Sequence, residues 1–229
     1  MASGFFLTFE GLDGSGKSTQ LRKLATHLES AGLAVTVTRQ PGGTHVGDRI
    51  RPLLLDSKTE HLSPMTELGL MFSDRAQCIA EVIAPALHSG NVVLCDRFTD
   101  STEAYQGGGR QLGSDVVLEM HRTMCGGLQP DLTLLLLADF DQSLHRARRR
   151  NDRNATTDSD EGRFEREDQA FYRRVYDKYR EIAARDSDRV VIVEGDRPIE
   201  VIHREIVTLV ESKLRLIGLL PTANVTAVR

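Results

Sequence analysis

Gly11-Leu12-Asp13-Gly14-Ser15-Gly16-Lys17-Ser18 has the spacing G-x-x-x-x-G-K-[ST]. Glycines so placed let backbone N–H groups curl around a polyphosphate. Lys17 can then reach the outer phosphates and Ser18 can set its hydroxyl on a magnesium ion. The pattern follows an apolar run, Phe5 to Phe9, and precedes a helix-like stretch, Ser18 to Ala31. In that context the helix N-terminus adds its positive end to the loop. A glycine-rich turn into a helix is the bland alternative, and pattern and context together weigh against it. Residues Gly11, Leu12, Asp13, Gly14, Ser15, Gly16, Lys17, Ser18 and Thr19 thus form a candidate nucleoside triphosphate site. A guanine-reading N-K-x-D is absent and D-x-x-G occurs only inside the loop, which turns the reading away from GTPase switches. Motor and transporter ATPases stay open at this level.

Other candidate residues also follow strand-like runs. Asp96-Arg97-Phe98 comes directly after Val92 to Cys95, which places it at the carboxyl edge of a sheet, where ligands bind in α/β folds. Asp96 can hold a water on the metal or orient Arg97, and Arg97 can fork onto a second phosphate; a salt bridge at a strand end is the competing reading. Arg39-Gln40-Pro41-Gly42-Gly43-Thr44 follows another run, with Arg51 about two helical turns beyond Thr44. Arg75 stands three residues after Phe72 and four after Met71, so all three reach one patch of a helix. An aromatic face beside an arginine fork suits a planar nucleobase. Phe72 also lies on an apolar stripe, so a place in the core competes with that role.

The elements that must carry these residues are short apolar runs alternating with helical patterns. Phe5 to Phe9, Ala34 to Thr38, Val92 to Cys95, Leu132 to Leu137 and Val190 to Val193 have the length and continuity of strands buried on both faces. They predict a five-stranded parallel sheet with helices on both faces, an α/β fold of the P-loop NTPase type. Leu68, Phe72, Ala76, Ile79, Ile83 and Leu87 predict one helical element over Ser63 to Ser89, and Ile199, Ile202, Ile206, Leu209 and Val210 predict a packed C-terminal helix. The 229 residues, 40% apolar and 27% charged, suit one folded domain over 1–217, with 218–229 as a tail. A polar stretch from Asn151 to Gly162 reads as an inserted surface loop. Three separated cysteines give neither a disulfide framework nor a zinc pattern and fit a reducing cytosol. No apolar run is long enough for a membrane span, and the first residues lack the basic leader of a signal peptide. The net charge of −4 argues against nucleic acid or an anionic membrane as partner. Within it, 24 Arg stand against 5 Lys, a bias toward the side chain that grips carboxylates and phosphates with a planar fork.

In order along the chain, Phe9-Glu10-Gly11-Leu12-Asp13-Gly14-Ser15-Gly16-Lys17-Ser18-Thr19, Thr38-Arg39-Gln40-Pro41-Gly42-Gly43-Thr44, and Asp96-Arg97-Phe98 continuing through Ser101-Thr102 to Ala104-Tyr105-Gln106-Gly107-Gly108-Gly109-Arg110 resemble the bacterial thymidylate kinases. Similarity extends from Phe5 to about Leu209. The resemblance implies a nucleoside monophosphate kinase-like fold. It implies transfer of the γ-phosphate of ATP to thymidine 5′-monophosphate (dTMP) with Mg2+, giving ADP and dTDP on the route to dTTP. It also implies that Asp13 contacts the sugar 3′-hydroxyl and that Arg97 and Arg51 clamp the monophosphate. Arg75 would meet the thymine edge, with Phe72 or Met71 against its face, while Thr102 and Ser101 hydrogen-bond the base. Tyr105 would pack beside the deoxyribose, and Gln106 and Tyr179 would line the pocket. A cytoplasmic homodimer is implied, through helix faces in Ser63 to Ser89 and Ser114 to Cys125.

The chain departs from the family in three places. Gln40 stands where the family usually has Glu. Met71 occupies the usual stacking position, with Phe72 one step on. An insertion lengthens the lid, about 146–164, between Arg146-Ala147-Arg148-Arg149-Arg150 and Gly162-Arg163-Phe164-Glu165. Phosphoryl transfer asks mainly for positioning and charge neutralisation, so arginines are the catalysts to look for. Gly14-Ser15 supplies none within the loop, which moves the duty to Arg146, Arg148, Arg149, Arg150, Arg153 or Arg163, with Arg153 preferred for its place in the polar stretch. Interspersed Asp152, Asp158, Asp160, Glu161 and Glu165 leave a solvated helix end as the alternative. The expected catalytic set is Lys17, Asp13, Arg97 and Arg153, and the expected metal set is Ser18 and Asp96. Another small-acceptor P-loop kinase, or a non-catalytic ATP-binding regulatory module, are the competing functions.

Overall fold

The computed structural model describes residues 4–59, 62–144 and 162–221. Most of the expected lid, with Arg146, Arg148, Arg149, Arg150 and Arg153, lies outside the described residues. The five apolar runs form five strands, Phe5–Glu10 (β1), Val35–Arg39 (β2), Val92–Asp96 (β3), Leu132–Leu137 (β4) and Val190–Glu194 (β5). All pairings are parallel and the order is β2-β3-β1-β4-β5. The chain winds to one side of β1 and then to the other, so a crevice opens at the carboxyl end of β1.

Helices Lys17–Ser30 (α1), His45–Leu55 (α2), Pro64–Cys78 (α3), Ala84–His88 (α4), Thr99–Thr102 (α5), Ser114–Cys125 (α6), Gln169–Arg185 (α7) and Ile199–Leu216 (α8) cover the sheet. β1 is buried along its length, and the alternation of its side chains divides it between two cores. Phe5, Leu7 and Phe9 join Leu21, Leu24 and Leu28 of α1 and Ile202, Ile206 and Val210 of α8. Phe6 joins Cys78, Ile83, Val93, Cys95 and Phe98 on the opposite face. Thr8 and Glu10 are the polar residues of the strand, and the Thr8 hydroxyl is paired with that of Thr133 at 2.8 Å. Leu219 and Leu220 pack back onto the first core.

The segment from Ser63 to Ser89 stays helical but changes pitch. Ser63 caps α3 by accepting the Thr66 N–H at 3.2 Å, and Ile79–Ile83 then widens into a π-helical turn before α4. Pro85 has no N–H for the ladder and its ring crowds the preceding turn, which favours the wider spacing. A second π-helical turn, Glu103–Gly109, follows α5, and there α7 comes into backbone range. A Cβ on Gly108 would lie 2.8 Å from the Cβ of Lys178, and one on Gly109 would enter the Phe171 ring, so this approach requires glycine.

Glu67 binds these parts together. It has no exposed surface, yet it accepts hydrogen bonds from Gln106 Nε2 at 2.7 Å, Arg163 Nη2 at 2.6 Å and Arg110 Nε at 3.2 Å. Arg163 Nε also donates to Leu54 O at 2.6 Å, and Arg110 pairs with Glu167 at 2.6 Å. One carboxylate on α3 therefore ties together the end of α2, the second π-helical turn and the C-terminal end of the lid segment. Removing it takes the carboxylate from two largely buried guanidiniums, leaving, among the described residues, Arg163 with only the Leu54 carbonyl and Arg110 with only Glu167. Glu67→Ala is expected to lower unfolding free energy by about 3–5 kcal/mol in urea titrations; a loss under about 1 kcal/mol would contradict this role.

Candidate active site

The turn from β1 into α1 is built for an anion. Gly11, Gly14 and Gly16 have φ of 131°, 76° and 94°, values that L side chains rarely adopt. A Cβ on Gly11 would collide with Leu136 O. α1 begins at Gly16 with no side-chain cap and no acid in its first turn, so its first N–H groups and its positive dipole end face the loop. Lys17 lies inside this curve, its Nζ donating to Leu12 O at 2.8 Å and to Gly11 O at 3.0 Å. Burial, reinforced by the charge of Arg97, pushes the Lys17 amine down to about 8. Ser18 Oγ donates to Asp96 Oδ2 at 2.7 Å across the gap between α1 and β3. A hydroxyl and a carboxylate side by side at the edge of a phosphate loop are the hard oxygen donors that magnesium takes together with phosphate and water.

Arg97 leaves the end of β3 with φ 70°. That conformation sends its guanidinium back across β1, where Nη2 donates to Asp13 Oδ1 at 2.7 Å and Nη1 to Gly11 O at 3.1 Å and Ser101 Oγ at 3.0 Å. Its Cζ lies 5.2 Å from the centre of the Tyr105 ring, and Tyr105 Oη donates to Asp13 Oδ2 at 3.4 Å. Asp13, Arg97, Ser101 and Tyr105, drawn from two separate stretches of sequence, thus meet at one place. Tyr179 completes the cluster from α7, with its Oη 2.9 Å from Ser101 Oγ.

Arg75 is 2% exposed and lies between the Phe72 and Phe98 rings. Its Nε donates to Gln40 Oε1 at 2.8 Å, and its Nη2 donates to Thr102 Oγ1 at 2.9 Å and Phe98 O at 3.1 Å. Nη1 of Arg75 and Nε2 of Gln40 are buried without hydrogen-bond partners, an unusual state for interior donors. Gln40, where a carboxylate was the family norm, accordingly serves Arg75 through its carbonyl oxygen. Arg51 on α2 donates to Pro41 O at 2.6 Å, while Arg39 points outward toward Asp48 at 3.5 Å.

The expected place of Phe72 changes. Phe72, expected against a base, is fully buried with Leu68, Val117 and Cys125 between α3 and α6. The Arg75 guanidinium lies 4.9 Å from its ring centre, so Phe72 supports the arginine and presents no face to a ligand. One residue is about 100° of helix rotation, and Met71 accordingly falls in the other cluster, with Leu12, Tyr105 and Tyr179. Gln106 is 1% exposed and turned to Glu67, which makes it a wall held from behind. Sequence reasoning passed over Glu10, fully buried at the end of β1 and accepting from Phe98 N–H at 2.6 Å. An acid closing an otherwise apolar strand was the available signal.

The family model described as thymidylate kinase matches residues 9–206. The chain is 46% identical over 207 residues to the thymidylate kinase of Pelobacter propionicus, covering 90% of this chain and 94% of that protein. It is 45% identical over 213 residues to that of Desulfovibrio desulfuricans, covering 93% and 98%. The crystal structure of thymidylate kinase from Ehrlichia chaffeensis superposes with a TM-score of 0.72 at 30% identity, covering 91% of this chain and 99% of that one.

The state of Lys17 gives a pH signature. A bound polyphosphate favours the ammonium form, so triphosphate affinity is expected to be flat up to about pH 8 and to fall toward tenfold per pH unit above it. Calorimetric titrations between about pH 7.5 and 9.5 check this. Equal affinity across that range would contradict it, and Lys17→Ala should bind weakly with no such slope.

Proposed function

Because the chain belongs to the thymidylate kinase family, we propose that it transfers the γ-phosphate of ATP to dTMP, giving ADP and dTDP. The observation that carries the reading is the junction at the end of β1. There the phosphate loop and its lysine meet Ser101 and Tyr105 through the Asp13–Arg97 pair at 2.7 Å, and the buried Arg75 is bonded to Thr102 of the same stretch. A donor polyphosphate and an acceptor nucleotide can only react if both sites open on one another.

In this reading Gly11 to Thr19 hold ATP, with Lys17 on the outer phosphates. Ser18 and Asp96 would hold Mg2+, which supplies charge neutralisation to the phosphates. Arg97 and Arg51 take the acceptor phosphate. Arg75 offers its unpartnered Nη1 to the base edge, with Thr102 and Ser101 beside it. Tyr105 fills the space by the sugar, next to Asp13. The hydrogen bonds that Arg97 and Lys17 make with loop carbonyls keep both cations in place before substrate arrives, so little reorganisation is left for the reaction. Arg163 is committed to Glu67, which leaves the remaining lid arginines to neutralise the migrating group, Arg153 first. A single kinase domain spans 1–217, with Leu219 and Leu220 of the following stretch also packed on its core and the lid at about 146–164.

Among the described residues no helix is long and apolar enough to cross a membrane, and the three cysteines are free and buried; a cytoplasmic location fits both. Met65 of α3 and Val116 and Met124 of α6 are exposed apolar side chains, 53%, 38% and 37% accessible. They support a homodimer through the paired faces of α3 and α6.

A coupled ADP-release assay over a panel of nucleoside monophosphates is expected to show acceptor-dependent turnover with dTMP foremost; none with any acceptor would refute the kinase reading. Lys17→Ala should abolish turnover. Arg153→Ala should lower kcat by about 100-fold or more, and a smaller effect than in Arg149→Ala would move the catalytic duty to that residue.

A further inference from the structure

Asp74 directly precedes Arg75 on α3 and is 1% exposed. Its Oδ1 accepts the backbone N–H of Gly42 at 2.7 Å. Gly42 lies in the turn from Gln40 to Gly43, and this turn hands acceptors to two arginines of different helices. Gln40 Oε1 takes Arg75 Nε at 2.8 Å, and Pro41 O takes Arg51 Nη1 at 2.6 Å. A turn of four residues thus stands between the two, and Asp74 is the side chain that fastens it to α3. α2 is fitted to the same carboxylate from the other side. A Cβ on Gly47 would collide with Asp74 Oδ1 and would lie 3.0 Å from Thr44 Oγ1 and 3.1 Å from Gly42 O.

The charged and titratable groups around the carboxyl are Arg75 and Cys78 on its own helix and Arg51 and Asp48 on α2. Arg39 approaches Gly42 from the strand side. Burial pushes Asp74 up to about 6, and its Oδ2 is buried without a hydrogen-bond partner. An ionised carboxylate here opposes folding by its desolvation, which sets the stability of the fold apart from the placement of the turn.

We propose that Asp74 is a positioning residue for the acceptor nucleotide, fixing the spacing between Arg51 and Arg75 by holding the turn that both arginines bind. The inference rests on the reading that assigns those arginines to the phosphate and base ends of dTMP. The holding contact is a hydrogen bond to Gly42 N–H, which a neutral amide oxygen can also accept. Charge is therefore dispensable, and shape is not.

The test is steady-state kinetics of the full chain with ATP and dTMP, alongside thermal melts, for Asp74→Asn, Asp74→Ala and Gly47→Ala. Asp74→Asn is expected to keep the dTMP KM within about threefold of wild type without loss of melting temperature. Asp74→Ala and Gly47→Ala are expected to raise the dTMP KM about tenfold or more while the ATP KM stays within about twofold. An unchanged dTMP KM in Asp74→Ala, an ATP KM rising in step with it, or an Asn variant as impaired as the Ala variant would each overturn the assignment. If Asp74→Ala does not fold, Gly47→Ala decides by the same KM split. Absence of dTMP-dependent turnover in the wild type would instead refute the substrate reading beneath it.

Discussion

The site depends on one buried carboxylate at the end of the central strand. Glu10 accepts the N–H of Phe98 at 2.6 Å and the hydroxyls of Ser101 and of Tyr179, the last at 3.2 Å. Fastening Phe98 to β1 turns the chain sharply after β3, and Arg97 takes up the turn with φ 70°. A left-handed conformation at a non-glycine residue costs about 1–3 kcal/mol. It also aims the guanidinium at Gly11 and Asp13, where an extended continuation of β3 would carry it past the sheet edge. Burial, and next the charge of Asp100, push Glu10 up to about 7. The folded protein therefore holds this proton more tightly than the unfolded chain, and the stability linked to it is present at acid pH and declines as pH rises toward about 7.

Many of the arginines are each held by several acceptors at once, which the fork geometry allows. Arg97 is held by Asp13 and Gly11 O, and Arg75 by Gln40, Thr102 and Phe98 O. Arg110 and Arg163 share Glu67. Arg189 grips Asp100 at 2.7 and 2.8 Å, and Arg185 grips Glu103 at 2.6 and 2.9 Å. Asp100 and Glu103 flank Ser101 and Thr102, so the end of α7 and the loop beyond it hold the short helix α5. A net charge near zero thus conceals a cationic crevice whose arginines are oriented by carbonyls, hydroxyls and carboxylates.

Features set by local spacing were legible before any coordinates. The five strands, the glycine-lysine loop and the placement of Arg97 after β3 all follow from short-range pattern, because strand ends in a parallel sheet point to one edge. Phe72 and Met71 were not separable, since one step along a helix exchanges one buried cluster for another and both residues are apolar. Glu67 and Asp74 look like ordinary helix acids in sequence. Their meaning lies in contacts with Arg163 and Gly42, far along the chain, which no periodicity encodes. The π-helical turn before Pro85 was hidden because widening preserves the apolar stripe that marks the helix.

The central claim is that Glu10, without touching a substrate phosphate, determines where Arg97 points. The most direct measurement is kcat/KM for dTMP in Glu10→Ala, with circular dichroism to establish that the variant folds. The account predicts a fall of about 100-fold or more in the folded variant, because a displaced guanidinium loses both Asp13 and the acceptor phosphate. A folded variant with kcat/KM within about threefold of wild type would contradict it.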